Sequence, residues 1–70
     1  MQPIKISRVR SYRQALGKTQ KEMSELLNIH HVVYGRKERM LVAFTDKEKV
    51  TLLNFFKEYF PGETIDSLFF

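Results

Sequence analysis

The sequence predicts an all-α fold, in which five short helices form one compact domain. Two observations carry this prediction: apolar residues recur at intervals of three and four along most of the chain, and two Thr-x-x-Glu motifs mark helix starts. No segment shows the alternation of a half-buried strand. The chain has 70 residues and no cysteine, so packing must hold it together rather than disulfides or thiolate-bound metal.

The first two helices have clear ends in the sequence. The first is expected over 5–16, and Gly17 should end it, because glycine adopts the left-handed backbone of a helix C-terminus at little cost. Its apolar face consists of Val9, Tyr12 and Leu16. The second is expected over 20–27, after the capping box at 19–22, and Asn28 can take the left-handed turn that stops it.

The third and fourth helices are separated by the only sizeable irregular stretch. The third helix is expected over 31–38, and residues 39–44 form the loop after it. A second capping box at 45–48 opens the fourth and longest helix, expected over 46–60. The Pro-Gly pair at 61–62 should close that helix, since proline cannot continue it.

A fifth helix is expected over 65–69, with Thr64 as its cap. The residues that should be largely buried are Leu26, Ile29, Tyr34 and Leu53. The fourth helix carries two apolar stripes, although a surface helix needs only one. The stripe expected to pack under the first three helices consists of Val50, Leu53, Phe56 and Phe60. The stripe without an obvious partner in the domain consists of Leu52, Phe55 and Tyr59.

Charge divides the chain into a basic and an acidic part. The whole chain has 12 Lys and Arg against 8 Asp and Glu. Residues 1–40 hold nine basic and three acidic side chains, whereas residues 41–70 hold three basic and five acidic ones. A basic first part suggests a polyanionic partner such as nucleic acid.

The segment from Thr19 to Glu38 has the layout of a helix-turn-helix. With it, the chain resembles the lambda-repressor and Cro family of phage and Xre-type regulators. The residues that carry the resemblance are Thr19 to Met23, Leu26, Leu27, Ile29, Tyr34, Glu38 and Ile65 to Phe69. The resemblance implies a compact five-helix lambda-repressor-like domain over 1–70, with its helix-turn-helix at about 19–38.

The resemblance also implies positions for DNA contacts. It places a phosphate contact on Gln20. The other residues that it implies in nucleic-acid binding lie on and next to the third helix: His30, His31, Val32, Arg36 and Arg39. The chain departs from the family at these positions, because His-His-Val-Val leads the third helix and Arg39-Met40 replaces the usual Asn-Gly. Valine cannot hydrogen-bond a base edge, so we expect weak or vestigial DNA contacts with poor base discrimination.

Enzyme, cofactor and membrane functions are not expected. The chain has two aspartates, no Gly-rich phosphate loop and no Ser/His/Asp arrangement. The neighbours His30 and His31 point about 100° apart on a helix, so a shared metal ion is not expected. Residues 1–10 lack the apolar region of a signal peptide, and the apolar runs are too short to span a bilayer. These features predict a soluble, intracellular protein, and the resemblance to phage regulators implies the cytoplasm of a bacterial host.

Surplus aromatic residues in the second half predict a protein-binding surface. The expected contact residues are Leu52, Phe55, Tyr59, Phe69 and Phe70, with Asp46 and Glu48 as acids beside them. Acids around aromatics suit a basic protein partner. The aromatics could instead close a homodimer.

This combination resembles the modulator-of-repression antirepressors of temperate phages of lactococci. The resemblance implies an antirepressor in a lysis/lysogeny switch. Its partner would be the N-terminal DNA-binding domain of the cognate phage repressor, which it would keep from the operator. The alternative is a Cro-like dimer that binds DNA sequence-specifically itself.

Overall fold

The computed structural model describes residues 7–70, and within them the chain is entirely helical apart from turns and loops. The five helices are α1 (Arg8–Ala15), α2 (Gln20–Leu27), α3 (His31–Glu38), α4 (Asp46–Lys57) and α5 (Ile65–Phe69). The all-helical prediction is therefore confirmed for this part of the chain. Residues 5 and 6 of the predicted first helix lie outside the described residues.

The helix boundaries follow the capping signals in the sequence. The Thr19 hydroxyl accepts from the Glu22 amide at 3.0 Å, and the Glu22 carboxylate accepts from the Thr19 amide at 3.0 Å. Gly17 and Asn28 are left-handed, with φ of 68° and 56°, as predicted. The predicted end of α4 was three residues too late. Proline at position 61 disfavours helical backbone at the residue before it, and the chain closes α4 with a tight turn in which the Tyr59 and Phe60 amides both donate to the Phe56 carbonyl.

The core takes at least one apolar side chain from every helix. Its buried residues are Val9, Met23, Tyr34, Leu52, Phe56 and Leu68. Tyr34 is buried as predicted. Leu26, predicted to be buried, is 40% exposed, because α2 presents Met23 rather than Leu26 to the core.

The prediction of which α4 stripe faces inward is confirmed for Phe56, with Leu53 and Phe60 packed against the core, and is wrong for Val50 and Leu52. Leu52 is fully buried beside Phe56, whereas Val50 is 50% exposed. Both α2 and α5 pack against α4, so its buried face is broad and runs along Glu48, Leu52 and Phe56 at four-residue spacing. The two predicted stripes thus straddle one wide face.

A buried ion pair joins α1 to α3. The Arg13 guanidinium donates two hydrogen bonds to the Glu38 carboxylate, Nε to Oε2 at 2.8 Å and Nη2 to Oε1 at 3.0 Å. The same guanidinium donates to the Lys18 carbonyl at 2.7 Å. Burial alone would raise the pKa of Glu38, but the hydrogen bonds from Arg13 lower that pKa below its ordinary value. The Tyr34 hydroxyl is buried without a hydrogen bond, and burial raises its pKa.

A second buried ion pair joins α3 to α4. Lys37 Nζ donates to Glu48 Oε1 at 2.6 Å, and both side chains are about one-tenth exposed. Glu48 also accepts from the Thr45 amide at 2.8 Å, so one carboxylate caps α4 and neutralises Lys37. Burial would raise the pKa of Glu48, but the Lys37 ammonium and the Thr45 amide hold that pKa below its ordinary value.

Candidate functional site

The outer face of α3 carries the residues expected to contact DNA. We define this face as His31, Val32, Val33 and Arg36. All four side chains are exposed, and Arg39 beyond the helix is exposed too. Its polar members are few, because the two valines occupy the first turn after His31.

His30 lies at the start of α3 and acts as its N-cap. Its Nδ1 accepts from the Val32 amide at 3.1 Å, and its ring stacks on His31 with centroids 4.4 Å apart. Accepting this bond requires Nδ1 without a proton. The predicted DNA contact at His30 would therefore come from a ring already held by the helix.

Gln20 is turned towards α3. Its Nε2 donates to Glu38 Oε1 at 3.3 Å. A Cβ at Gly35 would lie 3.3 Å from Gln20 Oε1, which is tighter than ordinary contact. Glycine at position 35 thus leaves space for the Gln20 amide. This contact is what α3 gains in return for the lower helix propensity of glycine.

Two residues predicted to bind a partner are instead buried in contacts within the domain. Leu52 is fully buried in the core, so it cannot lie on a partner-binding surface in this fold. Glu48 is buried against Lys37, so it is not an exposed acid beside aromatics. Asp46 is exposed at the start of α4, as the prediction requires.

The remaining predicted aromatics lie on two different surfaces. Phe55 contacts Tyr59, with ring centroids 5.7 Å apart. Phe69 and Phe70 instead surround Lys49, whose Nζ is 5.8 and 5.0 Å from their ring centroids. Positions 49 and 55 point about 120° apart on a helix of 3.6 residues per turn. The single aromatic surface predicted from the sequence is therefore split by α4.

The first surface, which we call the α2–α4 flank, consists of Glu22, Leu26, Thr51, Phe55 and Tyr59. Leu26 and Thr51 line one shallow hollow between the two helices. Glu22 precedes Leu26 by one turn of α2, and Phe55 follows Thr51 by one turn of α4, so each pair shares a helix face. Tyr59 is 52% exposed. The flank thus combines partly exposed aromatic and aliphatic groups with a carboxylate.

The second surface is a cleft of about 340 Å³ beside the C-terminal residues. We call it the terminal cleft, and its walls are largely Met40, Val42, Ala43, Phe44, Leu68, Phe69 and Phe70. Its charged lining residues are Arg8, Lys37 and Lys49, and no acidic side chain within residues 7–70 lines it. The sequence pattern over 39–44 indicates only an irregular loop and carries no signal for this contribution.

Met40 is held in an unusual backbone conformation at the edge of the terminal cleft. Its φ of 66° is left-handed, a region that costs a residue with a side chain about 1–2 kcal/mol. The sequence signal was present, since Arg39-Met40 stands where the resembled family has Asn-Gly.

Other kinds of site find no support within residues 7–70. No group of three His, Asp or Glu side chains in that range could hold a metal ion. None of the helices there is long and apolar enough to cross a membrane. Comparison with family models, with curated proteins and with solved structures gives no match for this chain.

Proposed function

We propose that the protein is an antirepressor of a phage-type switch, in which α2 and α3 form a helix-turn-helix and the α2–α4 flank binds a repressor. The partner is the DNA-binding domain of that repressor, and its operator is blocked by the contact. The observation that supports this most is the acid-bearing aromatic flank on α2 and α4.

The α2–α4 flank has the composition of an interface core. Tyr59 and Leu26 are substantially exposed, and Phe55 lies half-buried beneath Tyr59. Aromatic side chains contribute most of the energy of protein interfaces when a partner excludes water from them. The partly exposed rings therefore provide anchors that need no change in the core.

Charge on the flank suits a basic partner. The backbone amide of Thr19 holds the pKa of Glu22 below its ordinary value, so this carboxylate is charged at neutral pH. Its contact with Lys18 is long, 3.8 Å, and exposed, which makes it a weak pair. A DNA-reading surface is basic because it contacts phosphates. Glu22 is therefore complementary in charge to such a surface, whereas Lys47, which lines the hollow beside Leu26 and Thr51, is not.

The composition of the outer face of α3 supports protein binding over base reading. Two valines occupy positions where a base reader would place hydrogen-bonding side chains. Arg36 and Arg39 remain available for phosphates. DNA contact by this chain alone is accordingly weak, salt-sensitive and nonspecific.

The test is operator binding by the repressor encoded beside this protein, followed by fluorescence anisotropy of labelled operator DNA. Adding the protein should release the operator. Tyr59→Ala should weaken the protein–repressor contact by about thirtyfold, the size of an interface hot spot. Phe70→Ala, an exposed aromatic in the terminal cleft, is the matched control and should leave release unchanged. Operator binding that is indifferent to the protein would contradict the proposal.

A Cro-like DNA-binding dimer is the second candidate. The exposure of Arg36 and Arg39 favours it, because both side chains could reach a phosphate backbone. Tight, sequence-selective operator binding by the protein alone, lost in Arg36→Ala, would establish this candidate. Sedimentation of the protein alone should then show a stable dimer.

A further inference from the structure

We propose that the terminal cleft is a second protein-binding site, which accepts a short segment of a partner protein carrying apolar side chains flanked by carboxylates. This site lies on the opposite flank of α4 from the proposed repressor-binding surface. It does not depend on the antirepressor proposal.

The walls of the cleft are apolar and unusually exposed. Phe70 is 81% exposed, and Met40 and Val42 are each about half exposed. Beneath them, Phe44 and Phe69 meet edge to face with centroids 5.7 Å apart and pack against the core. A rigid aromatic floor with an exposed apolar rim fits the insertion of apolar side chains.

The charge of the cleft selects an acidic occupant. Of its three cations, only Lys37 is paired, with Glu48, and Arg8 has no carboxylate within ion-pair distance among residues 7–70. Lys49 has no carboxylate within ion-pair distance among residues 7–70 and lies over the rings of the two terminal phenylalanines. A carboxylate next to the inserted apolar side chains would form an ion pair with the Lys49 ammonium.

Met40 lies at the edge of the cleft, at the left-handed position that closes α3, where the Leu41 amide donates to the Arg36 carbonyl at 2.9 Å. The helix cap therefore places a long, flexible side chain at the cleft. Methionine adapts its shape to different apolar partners, which suits the rim of a peptide-binding cleft.

The experiment uses the whole protein and a short blocked peptide that alternates Leu or Phe with Asp or Glu. Amide NMR shifts report the binding position, and a titration gives the affinity. The expected shifts centre on Phe44, Phe69 and Phe70. A second peptide, with every acid replaced by Lys, should bind at least about fivefold more weakly, the upper range for one exposed ion pair.

Variants separate the cleft from the rest of the surface. Lys49→Glu should weaken the acidic peptide by about fivefold or more and strengthen the basic one. Lys57→Glu makes the same charge change on the solvent side of α4 and should leave the affinity unchanged. Tyr59→Ala, which tests the repressor-binding flank, should also leave it unchanged.

Three results would overturn the proposal. One is the absence of shifts around Phe69 with any acidic peptide. Another is equal binding of the acidic and basic peptides. The third is sedimentation that shows the cleft buried between two copies of the chain, with Phe70→Ala dissociating the dimer.

Discussion

The two sides of α3 differ in how much they contribute to the stability of the domain. On the inner side Tyr34, Gly35, Lys37 and Glu38 are all buried, and the last two are fixed by ion pairs to α4 and α1. On the outer face His31, Val32, Val33 and Arg36 are exposed. The inner side therefore sets where the helix lies, and the outer face can change its chemistry without moving it. Substitutions on the outer face should therefore leave the fold intact.

Lowering the pH should reduce the stability of the domain most, because it protonates both carboxylates on the inner side of α3, those of Glu38 and of its neighbour Glu48. Their pKa values are lowered in the folded state, so their contribution is complete above the ordinary glutamate value of about 4.3 and is lost as pH falls towards the folded values. The free energy of unfolding, measured by denaturant at each pH, should thus decline below about pH 4.5. A level profile down to pH 3 would show that these pairs contribute nothing.

Of the charge-removing substitutions on the inner side of α3, Glu38→Gln should have the largest effect. It leaves the Arg13 guanidinium, only 11% exposed, without its carboxylate, and breaking such a pair costs about 3–5 kcal/mol. Chemical denaturation measures the loss. Glu25→Gln, on the exposed side of α2, is the control and should change stability by less than about 0.5 kcal/mol. Equal effects in the two variants would contradict the assigned role.

Glu48→Gln should cost less, about 1–3 kcal/mol. Glutamine can still accept from the Thr45 amide and keep the capping box, so only the charge partner of Lys37 is lost. A loss as large as that of Glu38→Gln would mean that the two pairs are equivalent. Lys37→Met in the Glu48→Gln background should restore part of the stability, since the buried ammonium is then removed.

Gly35→Ala should raise the free energy of unfolding slightly, by about 0.5 kcal/mol, because a gain and a smaller loss oppose each other. Alanine gains about 1 kcal/mol in helix propensity, and the flexible end of Gln20 must retreat by a few tenths of an ångström. Gly17→Ala is the contrasting variant and should destabilise by about 1 kcal/mol, because φ there is left-handed. A Gly35→Ala loss larger than the Gly17→Ala loss would show that the Gln20 contact is rigid.

Arg36→Ala should have the smallest effect, within about 0.5 kcal/mol of the unchanged protein. The side chain is exposed and makes no ion pair with any residue in 7–70. Thermal unfolding checks stability, and the salt dependence of binding to random DNA checks the phosphate contact. A large loss of stability would mean that the outer face also helps to place α3.

The sequence predicted the helices well because their ends are local. Thr19 with Glu22, and Thr45 with Glu48, each close a capping box within four residues. Side-chain burial was less predictable, because it depends on distant partners. Leu52 and Phe55 look alike along α4, and only the positions of α2 and α5 decide that one is in the core and the other on a flank.

The candidate surfaces were predictable only in part. The excess of aromatics was visible in the sequence, but its division by α4 was not, since Lys49 and Phe70 are brought together by the fold. The pairing of Arg13 with Glu38 spans 25 positions and has no sequence signature. Glu48 had two roles available from the sequence, as a cap and as a surface acid, and the structure keeps the first and replaces the second with the ion pair to Lys37.

The adjacent opposite charges of Lys37 and Glu38 also select among alternative packings of α3. Rotating the helix by one residue would turn the Glu38 carboxylate towards Glu48 and draw Lys37 away from it. That arrangement would bury two carboxylates together and leave Arg13 without a partner, so it is far less stable than the native one. This pair of residues thus gives the domain one packing arrangement instead of several of similar energy.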